Sequence, residues 1–198
     1  MGIFVTVEGP NGVGKSTFIQ ALERKLCEQY SVYLTKEPTQ TEFGNYVRNN
    51  EQNLRGDAYA YLIAADRSYH LEMFINKKLE EDYIVISDRY VESSLVLQAK
   101  DGVDIDTIWR LNCKFRVPEL SIILLAEEEV LLSRLKKRDT LTYFEETLTR
   151  KNEVEGYMDA AEFIRKQGFN VLILQNNTQD ELEENVVTCI NTLKRMLR

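Results

Sequence analysis

Ile3-Phe4-Val5-Thr6-Val7-Glu8 runs directly into Gly9-Pro10-Asn11-Gly12-Val13-Gly14-Lys15-Ser16-Thr17 near the start of the chain. A β-branched, apolar run followed at once by Gly-x-x-x-x-Gly-Lys-Ser predicts a strand ending in a phosphate-cradling loop. Helical periodicity then begins, with Phe18, Ile19, Leu22 and Leu26 on one face. Glycines let such a loop curl until successive backbone N–H groups point at one anion, and the helix N-terminus adds partial positive charge. Lys15 brings a full charge for the β- and γ-phosphates of ATP, and the Ser16 hydroxyl is a ligand for Mg²⁺. Every position from Gly9 to Thr17 is therefore a candidate ATP contact. A Gly-rich surface turn with a solvated Lys would need neither the strand before it nor the helix after it.

The chain has 198 residues, enough for one domain with a substantial core, and is read as a single domain over 1–198 with a lid segment at about 134–147. Hydrophobic content of 43% and charged content of 29% suit a globular protein, and a net charge of −7 argues against nucleic-acid polymers and acidic membranes as partners. Cys27, Cys113 and Cys189 are far apart in no metal-ligand spacing, and His70 is the one histidine. They read as reduced, mostly buried thiols, without a structural zinc site. No apolar run approaches membrane-spanning length and no signal peptide is evident, so the expected location is cytoplasmic.

Further strands are expected at Val32 to Lys36, Tyr83 to Ser87, Leu120 to Leu125 and Asn170 to Leu174. Helices are expected near Phe43 to Val47, Asp57 to Glu81, Glu92 to Ala99, Asp106 to Phe115 and Glu128 to Lys137. On the long one, Leu62, Ile63, Ala65, Tyr69, Met73 and Leu79 recur at helical spacing. A later helix carries Val154, Tyr157, Met158, Ala161 and Ile164 on one face and ends at Gly168. The last begins at Thr178-Gln179-Asp180-Glu181, a capping-box pattern. Alternating strands and helices predict an α/β fold: a three-layer, five-stranded parallel sheet with helices on both faces. Ligands bind such sheets beyond the C-terminal strand ends. Gly9 to Ser16, Glu37, Asp88-Arg89 and the loop from Gln175 to Thr178 are therefore expected in one crevice.

The phosphate loop alone does not separate a GTPase, a motor and a small-molecule kinase. Guanine recognition by Asn-Lys-x-Asp is missing: Asn76-Lys77-Lys78-Leu79 lacks the Asp and lies inside the long helix. For a kinase, Asp88 at a strand end suits Mg²⁺, and Arg89 beside it suits an acceptor phosphate; a structural Asp–Arg pair is the plainer alternative. Glu37 before Pro38 either orients or deprotonates an acceptor hydroxyl or caps the next helix. Arg134, Lys136, Lys137 and Arg138 form a basic cluster, either closing over ATP or forming a solvated face.

Taken together these residues resemble the thymidylate (dTMP) kinase family of P-loop nucleoside monophosphate kinases. The likeness rests on Glu8-Gly9 to Thr17, Lys36-Glu37-Pro38, Ala65-Asp66-Arg67 with His70, Asp88-Arg89-Tyr90 with Ser93-Ser94 and Gln98, Pro118-Glu119, and Arg134 to Arg138 with Tyr143-Phe144-Glu145 and Gly156-Tyr157. It implies phosphoryl transfer from ATP, with Mg²⁺, to a deoxynucleoside monophosphate, by a homodimer. Lys15, Arg89, Arg138 and Glu37 would be catalytic, and Ser16 and Asp88 would hold the metal. Arg134 would join the loop on ATP. Glu37, Arg48, Ile63, Arg67, Arg89, Ser94, Leu97 and Gln98 would hold the acceptor, Arg67 on the base. Asn11, Ile63 and Leu97 depart from the family pattern, where an acidic residue, Phe and Tyr are usual. They lead us to expect a base pocket remodelled for another nucleotide, such as a substituted deoxyuridylate. Two other readings stay open: a deoxynucleoside kinase, with Glu37 as base on a sugar hydroxyl, and a non-catalytic nucleotide switch.

Overall fold

The computed structural model describes residues 2–136 and 149–197. Five parallel strands, β1 (Ile3–Glu8), β2 (Val32–Lys36), β3 (Ile84–Asp88), β4 (Leu120–Leu125) and β5 (Val171–Gln175), form one sheet in the order β2-β3-β1-β4-β5. β1 and β4 are buried along their whole length, as covered parallel strands should be. β2 and β5 form the edges and are half-buried for most of theirs.

Helices cover both faces. On one, α1 (Lys15–Leu26) and the last helix, α9 (Gln179–Met196), bury Phe18, Leu22, Leu26, Leu182, Val186 and Leu193 against the sheet. On the other, α5 (Val91–Lys100) and α8 (Arg150–Lys166) contribute Val91, Leu95, Tyr157, Ala161 and Ile164. Shorter helices α2 (Glu42–Asn49), α6 (Ile105–Asn112) and α7 (Glu128–Leu135) complete the layers. The long stretch is α3 (Gly56–His70), one π-helical turn (Leu71–Ile75) and α4 (Asn76–Glu80).

Several expectations need correction. On α3 and the π turn, Ala65, Tyr69 and Met73 face solvent, while Ala60, Ala64, Arg67, His70, Leu71 and Ile75 point inward. Hydrophobic periodicity picks the wrong stripe because three polar side chains, Asp66, Arg67 and His70, take inward positions. Met158 is likewise exposed; Glu153 is buried on the inner side of α8. Cys27 and Cys113 cap the ends of α1 and α6 and are exposed, so only Cys189 is a buried thiol. At α9, Thr178 Oγ1 accepts from the Glu181 N–H at 3.1 Å, but the Glu181 carboxylate accepts from Asn177 rather than from the cap residue itself.

Register fixes the site. Asp88 lies opposite Val7 on one side and Lys36 on the other, so the C-terminal ends of β1, β2 and β3 are level. The loops leaving them, after Glu8, Lys36 and Asp88, share one rim.

Candidate active site

Gly9 has φ 137° and Gly14, the N-cap of α1, φ 97°, conformations that L side chains rarely adopt. A Cβ at Gly9 would also overlap the Leu124 carbonyl oxygen of β4, so the loop is pressed onto the sheet. Lys15 is buried and donates from Nζ to the Gly9 carbonyl at 2.8 Å and the Pro10 carbonyl at 3.1 Å. Burial pushes its ammonium down to about 8, and the positive charge of Arg89 pushes the same way, against Asp88, Glu153 and Glu8. Ser16 and Thr17 are exposed on the first turn of α1.

Beyond β3 the chain turns sharply. Arg89 has φ 77°, a strained backbone for a residue with a side chain, and its N–H donates to the Val7 carbonyl at 3.1 Å. Three contacts hold its guanidinium: Nη1 donates to Ser93 Oγ and to the Tyr157 hydroxyl, both at 3.0 Å, and Nη2 donates to Asn11 Oδ1 at 2.6 Å. Burial opposes the charge on Arg89, but the oxygens of Tyr157, Asp88, Glu8 and Glu153 around it more than offset this and raise its pKa. Glu8 is buried beneath, accepting from Ser93 Oγ at 2.6 Å and from the Tyr90 N–H. Burial raises the Glu8 carboxyl. Asp88 Oδ1 is buried with no hydrogen-bond partner among the described residues. An orphaned carboxylate oxygen level with the phosphate loop fits a hard cation. No group of three acidic, His or Cys side chains gathers a metal elsewhere among the described residues.

Glu37, Arg48, Ile63, Arg67, Arg89, Ser94, Leu97 and Gln98, the acceptor set expected from sequence, all line one cleft, joined by Tyr59 and Asn11. Arg67 is fully buried at its floor. Its Nε donates to Glu37 Oε2 at 2.7 Å, Nη1 to Ser94 Oγ at 3.1 Å and to Asn112 Oδ1, and Nη2 to the Tyr90 carbonyl at 2.8 Å. These bonds use four of the five guanidinium N–H groups, so one Nη2 hydrogen has no partner among the described residues. Glu37 does not cap α2; Thr41 does. Its second oxygen meets His70 Nδ1 at 3.1 Å, and His70 Nε2 meets Thr35 Oγ1 at 2.6 Å. Arg48 donates to the Pro38 carbonyl and caps the cleft from α2. Ile63 and Leu97 pack with Val47 and Tyr59, so an aromatic ring enters the wall at position 59, one turn before Ile63. Gln98 Oε1 is buried beside this wall and has no hydrogen-bond partner among the described residues.

The 175–178 loop does not enter that cleft. Gly12, Gly14, Thr17, Arg134, Asn176 and Thr178 line a second recess on the other side of the phosphate loop. The expected single crevice is thus two, because β1 is central and its loop forms the ridge between them. Arg134 binds that ridge, donating to the Val13 carbonyl at 3.0 Å and the Asn176 carbonyl at 2.9 Å; Asn176 Nδ2 also donates to Val13 at 2.7 Å. Arg138, the expected lid arginine, and Lys137, Tyr143, Phe144 and Glu145 lie outside the described residues.

Sequence reading missed Glu153 and Asn112 and assigned no role to Ser93 and Tyr157. Glu153 was hidden because a carboxylate on an amphipathic helix reads as a surface residue. The available signal was that it precedes Tyr157 by one helical turn, on the face already read as buried.

A family model described as thymidylate kinase matches residues 7–186. A probable thymidylate kinase of Caldivirga maquilingensis is 43% identical over 150 residues, covering 73% of each chain. One of Pyrobaculum calidifontis is 35% identical over 201 residues, covering 99% of this chain and 100% of that one. The crystal structure of thymidylate kinase from Ehrlichia chaffeensis shares the fold, with a TM-score of 0.74 over 97% of this chain and 98% of that one at 24% identity. A phosphate loop, an Asp-Arg strand end level with it and a cleft floored by a buried Arg thus occur together in a chain that matches over most of its length: it belongs to the thymidylate kinase family.

Proposed function

We propose that this chain transfers the γ-phosphoryl group of ATP to the phosphate of dTMP, giving dTDP, with Mg²⁺. The carrying observation is that the acceptor cleft and the second recess open on opposite sides of one phosphate loop, with Asp88 and Arg89 level with its base. Lys15 holds the β- and γ-phosphates, and the exposed Ser16 and Thr17 meet the nucleotide at the N-terminus of α1. Arg134 and the Asn176 loop border the recess for the rest of ATP. Ser16 and Asp88 would hold the metal, which would supply positive charge against the negative charge of the transferring phosphoryl group. Arg89 grips the acceptor phosphate. The attacking atom, a phosphate oxygen, is already ionised at neutral pH, so no general base is required. Glu37, with both oxygens engaged, serves to hold Arg67 against the base.

An acceptor panel tests the reading: dTMP, thymidine, dUMP, 5-substituted deoxyuridylates and ribonucleoside monophosphates with ATP and Mg²⁺, followed by ADP release. The highest kcat/KM is expected for dTMP. Preference for a 5-substituted deoxyuridylate would assign the wall at Ile63 and Leu97 to another base, preference for thymidine would make this a nucleoside kinase, and no stimulation by any acceptor would favour a switch.

The assembled form is a homodimer through α3. Tyr61, Ala65, Tyr69 and Met73 form a stripe at four-residue spacing, and Tyr61 and Met73 are 54% and 42% exposed. An apolar stripe of this kind marks a protein-binding face.

A further inference from the structure

We propose that Glu153 is a positioning residue for phosphoryl transfer: it clamps the tip of the phosphate loop and, through Asn11, sets the guanidinium of Arg89 on the acceptor phosphate. Glu153 projects from α8 and is completely buried. Its Oε1 accepts from the Asn11 backbone N–H at 2.8 Å, and its Oε2 is paired with Arg150 Nη1 at 2.7 Å. Asn11 in turn accepts from Arg89 Nη2 through Oδ1 at 2.6 Å. One line of contacts therefore runs from Arg150 through Glu153 and Asn11 to Arg89.

A buried carboxylate is expensive to desolvate, and burial raises the Glu153 carboxyl, with the Asn11 N–H and then Arg150, Lys15 and Arg89 pulling back. Packing alone gives no reason to place a charge here; an apolar side chain would fill the same space at lower cost. What an apolar side chain lacks is an acceptor for the Asn11 amide. Without one, the loop tip loses its only tether to α8 among the described hydrogen bonds, and the Asn11 side chain loses its aim. Arg89 is sensitive to this because its strained backbone depends on neighbours to hold it, and Asn11 is the partner of its Nη2. Tyr157, one turn along α8, holds Nη1, so α8 supports both ends of the guanidinium, one directly and one through the loop.

The inference rests on Arg89 gripping the acceptor, and the two are tested separately. Loss of dTMP turnover in Arg89→Ala, against an active wild type, tests the grip. The clamp is tested by a cycle of Glu153→Ala, Asn11→Ala and the double variant, with acceptor KM, ATP KM and kcat measured for each. Each single variant is expected to raise acceptor KM about ten- to hundredfold and ATP KM by a distinctly smaller factor, since Lys15 and the rest of the loop still hold ATP. The double variant should be no worse than the poorer single one, because both cut the same line. Multiplying effects, an equal rise in ATP KM, or a fall in Tm with unchanged kinetic constants would each overturn the proposal. If Glu153→Ala does not fold, Glu153→Gln combined with Arg150→Gln takes its place in the cycle, since it keeps a carbonyl for the Asn11 amide. That pair should then hold acceptor KM within about threefold of wild type, and a loss as large as that of Asn11→Ala would overturn the clamp.

Discussion

Under the proposed function, Lys15 carries both a structural cost and a chemical task. It is buried beside Arg89, and its charge is balanced by loop carbonyls and nearby carboxylates. Lys15→Ala should lower kcat on the order of a thousandfold while leaving the far-UV circular dichroism and Tm close to wild type, since the loss is of charge in the transition state rather than of packing. The pH dependence follows from the same burial. In the free protein the ammonium titrates at about 8. A bound triphosphate raises that value, so the complex holds a proton that the free protein has shed. ATP affinity should therefore be full below pH 8 and decline as pH rises through it. Calorimetry at pH 8.5 in buffers of different ionisation enthalpy should detect net proton uptake; its absence, or affinity flat to pH 9.5, would contradict the assignment. At this scale the sequence is legible where one residue type has one use. Lys15, Asp88 and Arg89 are named by motif and stand where expected. Glu37 is not so simple: it lies in the loop after β2 while its partners Arg67 and His70 lie on α3, and no local pattern says that they satisfy both of its oxygens.

Among the elements, α2 is positioned by a glycine. A Cβ at Gly44 would overlap the carbonyl oxygen and hydroxyl of Thr39, so α2 lies against the turn that follows Pro38. The same helix carries Arg48 to the Pro38 carbonyl, and Asp66 on α3 fixes Thr39 with bonds of 2.7 Å to its N–H and hydroxyl. Gly44→Ala should push α2 off this turn, cost about 1–3 kcal/mol of stability, and raise acceptor KM more than ATP KM. Thermal unfolding and steady-state kinetics on the same preparation check both halves. The existence of α2 was legible from sequence, but its contact with Thr39 was not, because Gly44 sits inside a helix where it looks merely unfavourable. The long helix reverses this. Its length was legible, but its inward face was misjudged, since Asp66, Arg67 and His70 displace the apolar stripe from the core.

For the molecule as a whole, that displaced stripe has a consequence. Tyr61, Ala65, Tyr69 and Met73 cannot serve the core of one chain, yet they lie in register on α3 and the π turn. Tyr61→Lys combined with Met73→Lys should shift sedimentation from dimer to monomer at micromolar concentration, because two buried charges facing their own copies repel. A wild type that sediments as a monomer throughout would remove the dimer reading. No described helix is long and apolar enough to cross a membrane.

From the chain alone came the strand–loop–helix at its start, the alternation that makes the sheet parallel, and the residue types at each strand end. These are local: glycine spacing, apolar runs and caps act over a few neighbours and leave their mark in order along the sequence. Only the folded structure decided that the crevice is two recesses divided by the loop of the central strand. It also decided that Arg67 is buried under four bonds and that Glu153 reaches the tip of the phosphate loop. Those facts depend on which strand lies beside which and on which helix face meets the sheet, and such long-range pairings are settled by packing.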